Sequence, residues 1–290
     1  PWEMDWCSVY SARTLTLPDY RAGRTLFIGD AAHLLPIFGV RGANTGFQDA
    51  QALAWRLGLV CSGQAPESLL ASYSAERVGA AWEIIDEAGK STRFMTPPSR
   101  GFRLLRDAVL SLSLSEAFVR PLYHWRTSRP HEYTGSKLNS AGDDNALFQS
   151  GPAHGAPPAN VRLGADDFLL DHLGGGFDLL VFGSTVPADV QAVVKDWQAK
   201  GLKLRVLLIT PSGGSAPLRA NDSAAGAASH NALAMHLSDP EGRARARWGV
   251  RTDGAAYLLR PDQHVCARWM TLDAHRLNAA LKQATTGVAP

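Results

Sequence analysis

Asp30, Gly39, Arg41, Gly42, Ala43, Asn44 and Gly46 fall within one stretch, GRTLFIGDAAHLLPIFGVRGANTGFQDAQALAWRL (residues 23–57). Their types suit a particular kind of ligand. A carboxylate such as Asp30 accepts hydrogen bonds from hydroxyl groups. Gly39, Gly42 and Gly46 let backbone approach a flat or anionic group without Cβ clashes. The first turn of a following helix offers unpaired N–H groups and the positive end of the dipole. Together they fit a polyhydroxylated ligand with an electron-rich ring, its hydroxyls at Asp30 and its ring at Arg41 to Asn44. Arg41 either steers an anionic substrate or faces solvent. His33 follows Asp30 by three residues, but nothing completes a catalytic dyad or a metal pair, so it is read as structural. No general base can be named from the sequence.

The elements that must position these residues follow from periodicity. Thr25 to Asp30, TLFIGD, is a short apolar run ended by Gly-Asp, the pattern of a buried strand in an α/β sheet. Asp30 would then sit at the strand's carboxyl end, where open α/β sheets bind ligands. From Asn44, expected as an N-cap, Phe47, Ala50, Ala54, Leu57 and Cys61 share one helix face, with Asp49 in the early turns and Gly63 at the stop. A second helix places Leu69, Leu70, Tyr73, Ala80, Ala81, Ile84 and Ile85 on its buried side. A third starts near Gly101, with Phe102, Leu105, Val109 and Leu112 at helical spacing. Before all of these, Trp6, Ser8, Tyr10 and Ala12 alternate with Cys7, Val9, Ser11 and Arg13 in an expected strand with no cleanly apolar face.

From Tyr123 to Asn160 the pattern decays into Gly, Pro, Ser and Asn, an expected irregular connection in which His124 and Trp125 have no assigned role. A second unit then begins. Phe177 to Gly183 reads as a buried strand, and a helix follows with Pro187 in its first turn and Gly201 after it. LKLRVLLIT is another strand, residues 254–269 form two strands about a turn at Pro261-Asp262-Gln263, and TLDAHRLNAALKQA closes the chain as a helix. The expected domains are 1–122, a linker over 123–160, and 161–290 with the βαβ then ββα order of a thioredoxin-like fold. The fold class is α/β.

Composition excludes several classes. The 290 residues are 45% hydrophobic and 19% charged, with a formal charge of +2 and scattered basic residues, so neither nucleic acid nor an anionic membrane is an expected partner. No apolar run approaches the roughly 20 residues needed to span a bilayer. The N-terminus lacks the basic and apolar regions of a secretory signal. Cys7, Cys61 and Cys266 stand far apart and form no CxxC, which fits a reducing, cytoplasmic setting.

The loop resembles the second flavin-binding motif of the single-component FAD-dependent aromatic hydroxylases, the p-hydroxybenzoate and phenol hydroxylase group. The matching residues are Gly29-Asp30, Ala31-Ala32-His33, Pro36, Gly39, Gly42, Asn44 and Gln48-Asp49-Ala50. Tyr73, Glu76 and Arg77 resemble the family's next helix, though the residues themselves read as a structural ion pair and packing site. LLRPDQHVCARW resembles the end of the thioredoxin-like tail in the phenol hydroxylase branch. The resemblance implies FAD as cofactor, with Asp30 on the ribityl chain and Gly42, Ala43 and Asn44 at the flavin ring edge. Pro36, Ile37 and Phe38 would line the oxygen and substrate side. It further implies NAD(P)H as reductant, O₂, a flavin C4a-hydroperoxide and a phenolic or other activated aromatic substrate, and it allows a homodimer.

Three departures qualify that reading. No GxGxxG follows any strand, the family's middle Asp-Gly motif is absent, and Gln263 stands where a turn glycine is common. The first two lead to the expectation that the chain is the C-terminal part of such an enzyme. The residues leave open a non-catalytic scaffold with a degenerate flavin domain, and more weakly a fold binding another nucleotide such as NAD(P). Ser184, Thr185 and Val186 stand where a redox-active thioredoxin fold carries its CxxC, so the tail is expected to be structural, with Cys266 as a small core residue.

Overall fold

A β-strand needs a hydrogen-bonded neighbour, and that requirement decides how the N-terminal stretch folds. The structure, a computed structural model, describes residues 2–9, 11, 13–37, 39, 41–122, 130–211 and 234–288. Tyr10, Ala12, Phe38, His124 and Trp125 lie outside them. The chain divides into two units, Pro1–Gln51 with Ser74–His131, and Ala52–Tyr73 with Glu132–Pro290.

In the first unit the strand expected around residues 6–13 is not formed among the described residues, and Trp6, Cys7, Ser8 and Val9 are exposed. With no apolar face there was nothing to bury. Regular pairing begins later, in β1 (Leu15–Thr16), β2 (Arg21–Ala22), β3 (Thr25–Leu26) and β4 (His33–Leu34). β1 pairs antiparallel with β4, and β2 with β3. The buried strand expected over Thr25 to Asp30 is therefore only the two residues of β3, since β2 supplies no more than two partners. Ile28 is partly exposed and the chain turns into a 3-10 helix at Gly29–Ala31.

Helix α1 (Gly42–Cys61) starts two residues ahead of the expected Asn44 cap, so Asn44 lies within its first turn. Its expected face is the outer one here. Phe47 is 75% exposed, Ala50, Ala54 and Cys61 are exposed, and Leu57 is half-buried. The buried positions are Thr45, Asp49, Ala52, Leu53 and Arg56. Apolar periodicity chose the wrong face because the inward face carries charges that are paired. Gly63, at φ +73°, ends the turn after α1 as expected. Helix α2 (Leu69–Met95) buries Leu69, Leu70, Tyr73, Ala80, Ala81 and Ile84, with Ile85 half-buried. Helix α3 (Arg100–Leu112) is capped by Ser99, whose Oγ accepts from the Phe102 N–H. Val109 is its one buried residue.

The second unit is a five-stranded sheet. It contains β5 (Phe177–Phe182), α4 (Ala188–Ala199), β6 (Leu204–Thr210), β7 (Ala234–Ser238), α5 (Arg243–Arg247), β8 (Ala255–Leu259), β9 (Val265–Trp269) and α6 (Ala274–Thr286). The strand order is β7-β6-β5-β8-β9, with β5, β6 and β7 parallel and β8 and β9 antiparallel. β7 and α5 were not legible in the sequence. Pro187 caps α4 rather than entering its first turn, and Gly201 follows it at φ +90°. Both sheet faces are covered. Leu179, Val181, Val206, Leu208, Val190, Val194 and Leu277 form one core, and Leu180, Phe182, Leu207, Ile209, Trp248 and Tyr257 the other. Cys266 is fully buried and burial pushes its thiol up to about 12, which leaves it inert as a nucleophile.

Residues 132–160 carry no α-helix or strand, yet they are firmly held within this unit. The Arg268 guanidinium donates to the carbonyls of Ser150, Pro152 and Asn145, and Ala156 and Gly155 exchange backbone bonds with Val265. The turn between β8 and β9 is tight. Gln263 adopts φ +58°, the only non-glycine at positive φ among the described residues. Beside it Asp262 accepts from Trp55 Nε1 at 2.9 Å and from Arg260 Nε and Nη2 at 3.0 and 2.8 Å, with Arg56 Nη1 3.4 Å away. Burial opposes this carboxylate's charge, but Arg260, His264 and Arg56 hold its pKa well below the usual range.

Two outcomes are expected. Asp262→Ala leaves the fully buried Arg56 and Arg260 without their counter-ion and costs about 3–5 kcal/mol in urea unfolding. Asp178 works the other way. Burial, only partly offset by Arg205, raises its pKa from 3.8 to about 6. Between those values the folded state holds a proton that the unfolded chain has lost, so this residue's contribution to stability falls as pH rises from about 4 to 6, by at most about 3 kcal/mol. Unfolding curves of Asp178→Asn across that range should lack this decline.

Candidate functional site

The loop from Gly29 to Thr45 is organised by what lies beneath it. Gly29 has φ +56°, a conformation that costs an L-residue roughly 1–2 kcal/mol, and it turns the chain from β3 into the 3-10 helix that carries Asp30. Its Cα lies close to Gly46 in α1. A Cβ on Gly46 would meet the Gly29 Cα at 3.5 Å. Of the other loop glycines, Gly39 is at φ +95° and so is required by conformation, whereas a Cβ on Gly42 would meet nothing.

The polar centre beneath the loop is Asp49. Its Oδ2 accepts from the Gly29 N–H at 3.0 Å and from His33 Nε2 at 2.7 Å, and its Oδ1 accepts from Arg77 Nε at 2.6 Å. Asp49, His33 and Arg77 are all buried. Burial favours the neutral acid, but the His33 bond and the Arg77 charge outweigh it and hold the pKa of Asp49 below its ordinary value. Because a carboxylate only accepts, His33 must carry its proton on Nε2, which leaves its Nδ1 buried with no partner. The structural reading of His33 is thus given a partner. Arg77 pairs with Asp49, and its Nη2 also reaches the Thr45 carbonyl at 3.3 Å.

The sequence-predicted residues sit on the outer side of this arrangement. Asp30 is exposed and its carboxylate bonds no described residue. Pro36 is buried, Ile37 is 51% exposed, and Ala43 and Asn44 are exposed in the first turn of α1. Phe38 lies outside the described residues. Gly42 and Ala43 begin the helix, ahead of the Thr45 N–H, which donates to Arg41 O at 2.8 Å. Arg41 Nη2 is buried and has no hydrogen-bond partner. Burial lowers the pKa of this guanidinium, and Glu83 and Glu87 pull it back up. The exposed Asp30 carboxylate and the N-terminus of α1 are the groups of this loop that could hold a flavin, at its ribityl hydroxyls and its electron-rich pyrimidine edge. Among the described residues no cluster could hold a metal ion, and no helix is long and apolar enough to cross a membrane.

Comparison with known proteins agrees with this chemistry. The family described as "FAD binding domain" matches residues 1–88. Over 89% of its length the chain is 28% identical to the 3-(3-hydroxy-phenyl)propionate/3-hydroxycinnamic acid hydroxylase of Shigella sonnei (strain Ss046), covering 45% of that protein. A protein of the same name from Mycolicibacterium vanbaalenii is 29% identical over 62% of this chain and 32% of its own. Among solved structures, a ternary complex of aklavinone-11 hydroxylase with FAD and aklavinone aligns over 95% of this chain and 46% of its own, with a TM-score of 0.65 and 25% identity. The flavin-dependent monooxygenase PieE, in complex with FAD and substrate, shares the fold at a TM-score of 0.65 and 21% identity, over 95% of this chain and 49% of its own. The resemblance to FAD-dependent aromatic hydroxylases therefore extends over most of the chain, which spans about half the length of the relatives it matches.

Sequence reasoning placed Asp49 in the early turns of α1 and in the matched motif but did not foresee its burial against Arg77 and His33. A signal existed, since a carboxylate on a helix face turned toward an Arg of the next helix is a candidate buried pair, but periodicity had assigned that face to solvent. Two glycine substitutions separate conformation from space. Gly29→Ala should destabilise by about 1–2 kcal/mol. Gly46→Ala, meeting only ordinary van der Waals contact in a helix, should be neutral or stabilising by up to about 1 kcal/mol. Parallel thermal melts decide between them.

Proposed function

We propose that the protein acts as an FAD-dependent monooxygenase that hydroxylates a phenolic or other activated aromatic substrate with NAD(P)H and O₂. What carries this reading is a loop that sets the exposed Asp30 carboxylate ahead of the N-terminus of α1, in a region matching the FAD binding domain family. The names of the relatives support the reaction class, several being aromatic hydroxylases.

In this reading Asp30 accepts from the ribityl hydroxyls, and the backbone N–H groups of Gly42, Ala43 and Asn44 face the electron-rich edge of the ring. FAD, when bound, supplies the electron transfer and oxygen activation. The chain supplies position and a local field. The partial positive charge of the α1 N-terminus, with the Arg41 cation next to it, favours negative charge on the ring edge. Pro36 and Ile37 would line the oxygen and substrate side and limit access of water. The second unit reads as thioredoxin-like and structural, supported by its parallel βαβ with an antiparallel hairpin and by the inert Cys266. A cytoplasmic setting agrees with the absence of paired cysteines.

The test is direct. The purified chain is incubated with FAD, gel-filtered and examined for visible absorption. Flavin should co-elute with the protein, and Asp30→Ala should weaken the affinity roughly tenfold, as loss of hydrogen bonds to a charged acceptor predicts. A colourless eluate from the unaltered protein would sink the proposal that this chain holds flavin.

A further inference from the structure

We propose that Asp49 is the positioning residue of the loop, its buried carboxylate holding the Gly29–Asp30 backbone so that the Asp30 side chain is presented to a ligand. The purpose assigned to the loop rests on the flavin reading, but the positioning itself does not.

Four pieces of chain meet at this carboxylate within one unit. Asp49 belongs to α1, Arg77 to α2, His33 to β4 and Gly29 to the turn before Asp30. Apart from this contact, the Gly29 carbonyl accepts from the Ala32 N–H at 2.8 Å, a local bond within the 3-10 turn that does not tie the turn to the helices. β3 ends at Leu26, Gly29 is in a left-handed conformation, and Asp30 itself bonds no described residue. The Gly29 N–H therefore takes its place from the Asp49 oxygen. That oxygen is in turn fixed by the short His33 bond, and the carboxylate's other oxygen by Arg77. The second anchor of Arg77, on the Thr45 carbonyl, ties the same guanidinium to the first turn of α1. One charge pair thus sets both sides of the proposed site, the acceptor at residue 30 and the donors at residues 42 to 44. Asp49 touches no ligand in this scheme and acts through Gly29.

Chemistry makes the role specific to a carboxylate. Three donors converge on two oxygens, and both oxygens must accept. Asn at this position has one accepting oxygen and one donating NH₂ group. Whichever way it turns, a donor faces either Arg77 or the Gly29 and His33 pair. Shape is kept and the bonding pattern is lost, so the Gly29 amide should be released while the helices remain.

The experiment is amide hydrogen exchange by mass spectrometry across residues 28–34, with FAD affinity measured alongside, on the full chain and on Asp49→Asn. The expected result is exchange at least tenfold faster in that segment, with α2 still protected, and a Kd for FAD raised at least tenfold. His33→Gln and His33→Ala provide a second series that keeps Asp49. Gln retains a donor toward the carboxylate and should restore slow exchange, whereas Ala should not, and this series decides the matter if Asp49→Asn fails to fold. A folded Asp49→Asn protein with unaltered exchange at residues 28–34, or His33→Ala and His33→Gln both indistinguishable from the unaltered chain, overturns the proposal. If the unaltered chain binds no FAD, the flavin reading falls, and the exchange measurement alone still settles whether Asp49 positions the loop.

Discussion

The loop region depends on a negative charge placed where water cannot reach it. A carboxylate removed from water is costly unless its lone pairs are answered, and Asp49 is answered by a guanidinium, an imidazole and a backbone N–H. Each donor comes from a different element, so satisfying the charge and arranging the chain are one event. The left-handed turn at Gly29, the close approach of Gly46 and the inward face of α1 all follow from it. An apolar residue at the same position could fill the volume, but it could not orient an N–H group.

The second unit repeats the device on a different scaffold. Its sheet is apolar on both faces, as a mostly buried sheet must be, and its polar requirements are gathered at the ends of strands. Asp262 collects Trp55, Arg56 and Arg260 at the β8–β9 turn, and Arg268 collects the carbonyls of an otherwise irregular segment. Irregular backbone stays ordered when its carbonyls have a common donor, and a guanidinium with five N–H groups suits that task. Cys266 of β9 lies in the core with its thiol held in the neutral form, so the sheet contributes structure without thiol chemistry.

Between these two parts the proposed chemistry is divided unevenly. The residues that would meet a flavin lie in a short loop and the first turn of one helix, on a region matching the FAD binding domain family. They contribute mainly backbone groups, one free carboxylate and one cation. Such a set is suited to positioning and polarising a cofactor. Relatives about twice as long carry the remainder of their own architectures.

The loop motif was legible in the sequence because its constraints are local. Glycines at required conformations, a carboxylate after an apolar run and a helix start are all decided within a few residues, and so were the strands and helices of the second unit other than β7 and α5, whose apolar periods are weak. The existence and buried side of α2 were legible for the same reason. The face of α1, the length of β3 and the role of Asp49 were not. Each depends on a partner distant in sequence: β2 limits β3 to two residues, and Arg77 on the next helix draws Asp49 inward. Periodicity counts apolar residues and so assigns a charged face to water. By itself the sequence determined the existence of the long helices and of the strands with strong apolar periods. Only the tertiary structure decided which face of α1 is buried, because a charge can be buried only once its counter-charge has been brought to it.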